Sequence, residues 1–208
     1  MNKVFRAFTA LMRHYGGDAF KVGSEAPFRA LIGCILSQRT RDENATKAAD
    51  ALFKVASTPS EILGLDPETL KRLIRPSGYY NLKSAYITGA CKAIVERFNS
   101  ETPRTREGLM TLPGVGPKTA DIVLSYGYGV PAIAVDTHIL RVCKRTGLVS
   151  FRARPTEVKD TLEGSLPRGH WFYADSAFLQ LGKEYCKPQK PRCDNCPLME
   201  LCEYRKVT

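Results

Sequence analysis

Residues 112–121 read LPGVGPKTAD. A short helical pattern, REGLMTL, runs into this stretch, and an apolar helical pattern, TADIVLSYGYG, runs out of it. Gly114 and Gly116 flank Val115, and glycine accepts backbone angles closed to other residues. The stretch therefore reads as a tight turn between two helices, with Val115 pointing inward as an anchor. Pro117 suits the first position of the second helix, where its missing N–H is no loss. Such a turn presents bare backbone N–H groups beside a helix N-terminus, which is an anion site suited to a DNA phosphate. A lone GxG is an ordinary glycine turn. The whole stretch between two helices, in a basic chain, is more specific.

Outward from the turn the pattern stays helical. The N-terminal MNKVFRAFTALMRHYGG places Val4, Phe8, Leu11 and Met12 on one face, and APFRALIGCILSQ places Phe28, Leu31, Ile32, Ile35 and Leu36 at helical spacing. In TPSEILGL, Thr58 is an N-cap, Pro59 takes the first position and Glu61 the third. NLKSAYITGACKAIVERF carries Leu82, Tyr86, Ala90, Ala93, Ile94 and Phe98 on one face. VDTHILRVCKRTG, PTEVKDTLEGSL and HWFYADSAFLQLGKEYC add further helices, and only VPAIAV looks strand-like. Loops are short, as in compact all-α proteins.

The 208 residues carry a net charge of +10, which suggests a polyanionic partner; a solvated basic surface is the plain alternative. No apolar run reaches membrane-spanning length, and the N-terminus is too polar for a signal peptide. The expectation is a soluble, intracellular protein. Thiols are reduced in that setting, so Cys34, Cys91 and Cys143 read as packing residues. The other four of the seven cysteines, Cys186, Cys193, Cys196 and Cys202, are spaced C-x6-C-x2-C-x5-C. By spacing alone, tetrahedral zinc and a [4Fe–4S] cluster are both admissible.

Two further residues stand out. Lys118 falls in the first turn of the helix after the glycine turn, where the helix dipole disfavours an ammonium ion and favours the nucleophilic neutral amine. A partly closed cleft would push the same way. Asp136 opens DTHILRV and reads as an N-cap for residues 138 and 139. His138, beside it, reads as structural.

LPGVGPKTA followed by AVDTHILRVCKRTGL, together with the cysteine spacing, resembles the endonuclease III family of helix-hairpin-helix DNA glycosylases. The resemblance covers nearly the full length and is strongest over 112–148 and 181–204. It implies an all-α fold of two helical lobes with a DNA-binding cleft between them. One is a helical barrel over 20–130, with the helix-hairpin-helix at about 105–128. The other is a cluster lobe from 1–19 plus 131–208, its [4Fe–4S] loop at 186–202 held by the four tail cysteines. The resemblance makes Lys118 and Asp136 the catalytic pair, facing each other across the cleft, a role compatible with Asp136 as a cap.

The implied activity is a bifunctional DNA glycosylase and apurinic/apyrimidinic lyase of base excision repair, excising oxidised pyrimidines through a Lys118 Schiff base and cutting by β-elimination. The implied partner is double-stranded DNA with a damaged base or abasic site. With no spare apolar helix face and no membrane-length run, the expectation is a monomer with no membrane association, cytoplasmic and nucleoid-associated. Lys187, Lys190 and Arg192, between the first two tail cysteines, would meet phosphates from a loop held rigid by the metal and the prolines. The resemblance places the residue that fills the flipped base's gap in LSQRTRD, where Gln38 and Arg39 both qualify. It makes Tyr79 the wedge between opposite bases; a core aromatic at a helix start is the alternative. A mismatch glycosylase of the same fold, acting on thymine or uracil opposite guanine, and a non-catalytic DNA-binding module are the rival readings.

Overall fold

The computed structural model describes residues 2–16 and 26–206. The lobe boundary expected near residue 20 lies outside them. Every regular element among the described residues is helical. The chain divides into two compact units, Gly23–Val130 and Met1–Val22 with Pro131–Thr208.

The unit Gly23–Val130 contains α2 (Pro27–Ser37), α3 (Asp42–Phe53), α4 (Pro59–Leu63), α5 (Pro67–Ile74), α6 (Tyr80–Arg97), α7 (Arg106–Met110) and α8 (Pro117–Ile122). Leu31, Ile32, Ile35 and Leu36 of α2 are buried at its centre, against Leu52, Ile74 and Ile87 of neighbouring helices. The spacing of these α2 residues covers one face of a 3.6-residue helix, which is why the helix lies flat on the core. Thr58 caps α4 as expected: its side chain accepts from the Glu61 N–H, and the Glu61 carboxylate accepts from the Thr58 N–H. Backbone and hydroxyl bonds from Ser57 hold the Glu61 carboxyl below the usual glutamate range.

The face expected for α6 is rotated. Ile87, Cys91 and Ile94 are buried with Ala90, whereas Leu82 is 51% exposed. The buried residue at that end is Lys83, whose ammonium finds carbonyl partners, so the apolar count misplaced the stripe by one position. The helix after the turn also departs from a regular pattern. α8 passes into a π-helical turn, Val123–Gly127, where Gly127 lies against Pro27; an added Cβ would be 2.8 Å from the Pro27 Cα.

The other unit contains α1 (Lys3–Tyr15), α9 (Thr137–Thr146), α10 (Pro155–Ser165) and α11 (Trp171–Glu184). Leu11, Ile133, Val142, Leu162, Phe178 and Leu181 form its core. VPAIAV is not a strand. The Val130 N–H donates to the Leu124 carbonyl at 2.9 Å, the Ile133 N–H to Glu163 at 3.0 Å and the Ala134 N–H to Asp175 at 2.7 Å, while Lys159 donates to the Ile133 carbonyl. Cys91 and Cys143 are buried packing residues, and burial pushes both thiols up to about 12. Cys34 is half-buried. No helix among the described residues is long and apolar enough to cross a membrane.

Candidate functional site

The glycine turn has the expected anchor. Val115 is buried in the core, a placement that contributes about 1.5–3 kcal/mol for a side chain of this size. Gly114 sits at φ 78°, and an added Cβ would meet the Tyr86 ring at 2.7 Å, so both conformation and space require glycine. Gly116 corrects the reading of two strained glycines. Its φ of −101° suits any residue, and nothing lies within 4 Å of an added Cβ. It caps α8, with Pro117 next, and its carbonyl accepts from the Ala120 N–H. Lys118 follows in the first turn of α8, exposed.

The segment that carries the other inserting candidates belongs to the same unit. Gln38 is half-buried, and its Nε2 donates to the Gly114 carbonyl at 2.8 Å, tying its loop to the glycine turn. Arg39 is exposed and left-handed, φ 52°. Tyr79 is also left-handed, φ 47° and ψ 30°, and 61% exposed, so it is not a core aromatic. Large residues avoid this region, and such strain gathers at functional sites.

In the other unit Asp136 caps α9. Its Oδ1 accepts both the His138 and Ile139 N–H groups at 2.8 Å, so a single carboxylate oxygen serves the cap. His138 is structural: its Cβ lies where α11 passes, and an added Cβ on Gly182 would be 2.7 Å from it. Asp175, in α11, grips the Ala134 N–H just upstream of the cap.

The four tail cysteines line one small cavity, together with Arg145, Tyr185 and Leu181. No group of three or more His, Cys, Asp or Glu side chains among the described residues closes on a single metal ion. The four thiols share that one cavity, where together they could hold a [4Fe–4S] cluster. Burial and then the neighbouring thiols push Cys196 up to about 11 and raise Cys193. Iron between the sulfurs would remove that repulsion, so the donor set fits the cluster.

Sequence reasoning missed two arginines. Arg145 reaches from α9 to the cysteine loop, donating to the Lys187 carbonyl at 2.7 Å and the Pro188 carbonyl at 3.0 Å, with Nη1 3.7 Å from the Cys186 sulfur. Arg141 donates to the Cys186 carbonyl at 2.7 Å and the Gly182 carbonyl at 2.9 Å. The loop is therefore held by guanidinium groups as well as by its prolines. Lys187 on it is half-buried, while Lys190 and Arg192 are exposed.

The chain matches the HhH-GPD superfamily of base excision DNA repair proteins over residues 32–168. It matches the iron–sulfur binding domain of endonuclease III over residues 186–202. It is 44% identical to endonuclease III of Thermotoga maritima over 178 residues, 86% of this chain and 83% of that one. It is 36% identical to endonuclease III of Escherichia coli K12 over 208 residues, 99% of this chain and 98% of that one. A solved structure of a trapped endonuclease III–DNA covalent intermediate superposes with a TM-score of 0.92 at 34% identity, covering 100% of this chain and 98% of that one. The turn, the cysteine cavity and full-length similarity agree: the chain belongs to the endonuclease III family, helix-hairpin-helix DNA glycosylases and lyases of base excision repair that carry a [4Fe–4S] cluster.

Proposed function

We propose that the chain removes oxidised pyrimidines from duplex DNA and cuts the strand at the resulting abasic site, with Lys118 as nucleophile and Asp136 as its electrostatic partner. The carrying observation is the exposed amine of Lys118 in the first turn after the glycine hairpin. The similar endonuclease III trapped in a covalent bond to DNA supports the same chemistry here.

The damaged nucleotide must leave the stack before its C1′ can be reached. As the bond to the base breaks, positive charge develops at C1′. The Asp136 carboxylate is aimed by the two N–H bonds to Oδ1, which leaves its second oxygen for that charge. The Lys118 amine attacks C1′, and opening of the sugar ring gives the Schiff base. Loss of a proton from C2′ then expels the 3′ phosphate by β-elimination, and water releases the lysine.

Gly114 and Gly116 present the turn's backbone to a phosphate, whereas the Val115 N–H, expected to be bare, already donates to the Leu112 carbonyl at 3.2 Å. Lys187, Lys190 and Arg192 meet phosphates from the cysteine loop. The cluster, bound by Cys186, Cys193, Cys196 and Cys202, supplies a structural staple for that loop. Gln38, Arg39 and Tyr79 belong to the loops that enter the duplex. The protein acts as a monomer on the chromosome.

Borohydride trapping tests this reading on duplexes carrying an abasic site, thymine glycol, uracil opposite guanine, or thymine opposite guanine. Adducts with the abasic and thymine glycol duplexes are expected. Trapping of the two guanine mismatches alone would move the chain to mismatch repair. No adduct on any duplex, with tight binding intact, would leave a binding module.

A further inference from the structure

We propose that Lys83 is a positioning residue: it braces the loop carrying Arg39 against the loop carrying Tyr79, so that the two enter DNA as one preformed unit. The proposal rests on the reading of those loops given under Proposed function.

Lys83 lies in the first turn of α6 and is 2% exposed. Both facts disfavour a cation: the N-terminal turn is the positive end of the helix dipole, and burial strips water from the charge. The site is tolerated because the ammonium is well paired. Its Nζ donates to the Leu36 carbonyl and to the Ser77 carbonyl, each at 2.7 Å. Leu36 is in the last turn of α2, whose carbonyls have no partner further along the helix. Ser77 ends the 3-10 turn Arg75–Ser77. The Thr40 hydroxyl donates to the same Ser77 carbonyl. One buried cation thus fixes the end of α2, the start of α6 and the turn between α5 and α6.

What lies just beyond these anchors gives the brace its purpose. Arg39, three residues past Leu36, and Tyr79, two past Ser77, are both left-handed, with φ of 52° and 47°. Such backbone persists only where the surroundings over-determine it. Neither side chain is buried to compensate: Arg39 is exposed and Tyr79 is 61% exposed. Both side chains face solvent, yet the fold fixes the backbone beneath them; the Tyr79 carbonyl accepts the Lys83 N–H at 3.0 Å. Gly78, φ 65°, closes the second loop, and Gln38 ties the first to the glycine turn. A lysine serving only to fill the core would not need strained, solvent-facing residues beside both its partners. A rigid pair of inserting side chains does need them, because ordering two loose loops on binding would weaken recognition.

The test uses a duplex with a tetrahydrofuran abasic analogue opposite 2-aminopurine, whose fluorescence rises when the base is unstacked. Lys83→Met should keep the helical circular dichroism and bind undamaged duplex within about threefold of wild type, since phosphate contacts dominate that affinity. It should lose about tenfold or more of the preference for the abasic duplex, and most of the fluorescence rise. In a Tyr79→Ala background the same change should cost less than about threefold, because the residue it positions is gone. Thr40→Val removes one arm of the brace without leaving a buried charge, and should lose part of the preference. It decides the matter if Lys83→Met does not fold. Full preference and fluorescence in both variants would overturn the brace, as would an equal loss with and without Tyr79. A wild type with no preference for the abasic duplex would overturn the functional reading, and the brace with it.

Discussion

Gly182→Ala should damage chemistry carried by a residue that it does not touch. An added Cβ at Gly182 would lie 2.7 Å from the Cβ, 3.1 Å from the Cα and 3.2 Å from the carbonyl carbon of His138. Carbon atoms rest about 3.5–4.0 Å apart, so the first turn of α9 must retreat by about 1 Å. Two of the three atoms are backbone, so no change of rotamer relieves the clash. That turn is the one Asp136 caps, through the His138 and Ile139 N–H groups. Overpacking of this kind costs about 1–3 kcal/mol, or about 2–12 °C in Tm for a chain of this size. A shift of about 1 Å at a reacting group costs on the order of 100-fold in rate. Single-turnover cleavage of a thymine glycol duplex should therefore slow by about that factor, while binding to undamaged duplex is unchanged. Gly164→Ala in α10 is the control, because nothing lies within 4 Å of its added Cβ. Cleavage by Gly182→Ala within about twofold of wild type, a difference of less than about 0.5 kcal/mol in barrier, would refute the coupling of α11 to Asp136.

Asp136→Asn should keep the fold, since asparagine caps a helix as well as aspartate, and lose about 100-fold or more in cleavage with the charge. A rate near wild type would reduce Asp136 to a cap. Replacing Lys190 and Arg192 together with alanine should lower the salt dependence of DNA affinity by about one unit of slope per lost contact, and an unchanged slope would remove this loop from the interface. Arg145→Met deletes donors to the Lys187 and Pro188 carbonyls, each charge-assisted bond contributing about 1.5–3 kcal/mol. The visible absorption of the cluster should then decay faster under chelator, and an equal decay would mean that the prolines and iron alone order the loop.

Local signals were legible in the sequence and non-local ones were not. The Thr58 capping box, the Val115 anchor and the Pro117 start each depend on residues within a few positions, so spacing sufficed. The cysteine cavity was legible because metal ligands are few and their spacing is constrained. The α6 face was misread because an apolar count cannot know that Lys83 has carbonyl partners, one of them 47 residues away in Leu36. VPAIAV looked like a strand because its residues favour extended backbone. The Ile133 and Ala134 N–H groups go instead to Glu163 and Asp175, which only the folded chain brings near. Arg141 and Arg145 were not singled out in the sequence, because their partners in the cysteine loop lie more than 40 residues along the chain. Gly116 shows the opposite error: a motif glycine whose own backbone and surroundings do not demand it.

The most direct test is to reduce the complex with an abasic duplex using borohydride, digest it, and locate the sugar remnant by tandem mass spectrometry. The adduct is expected on the Nζ of Lys118, in the peptide that follows the glycine turn. An adduct on any other amine, or one that forms equally in Lys118→Ala, would contradict the assignment of the nucleophile and the chemistry built on it.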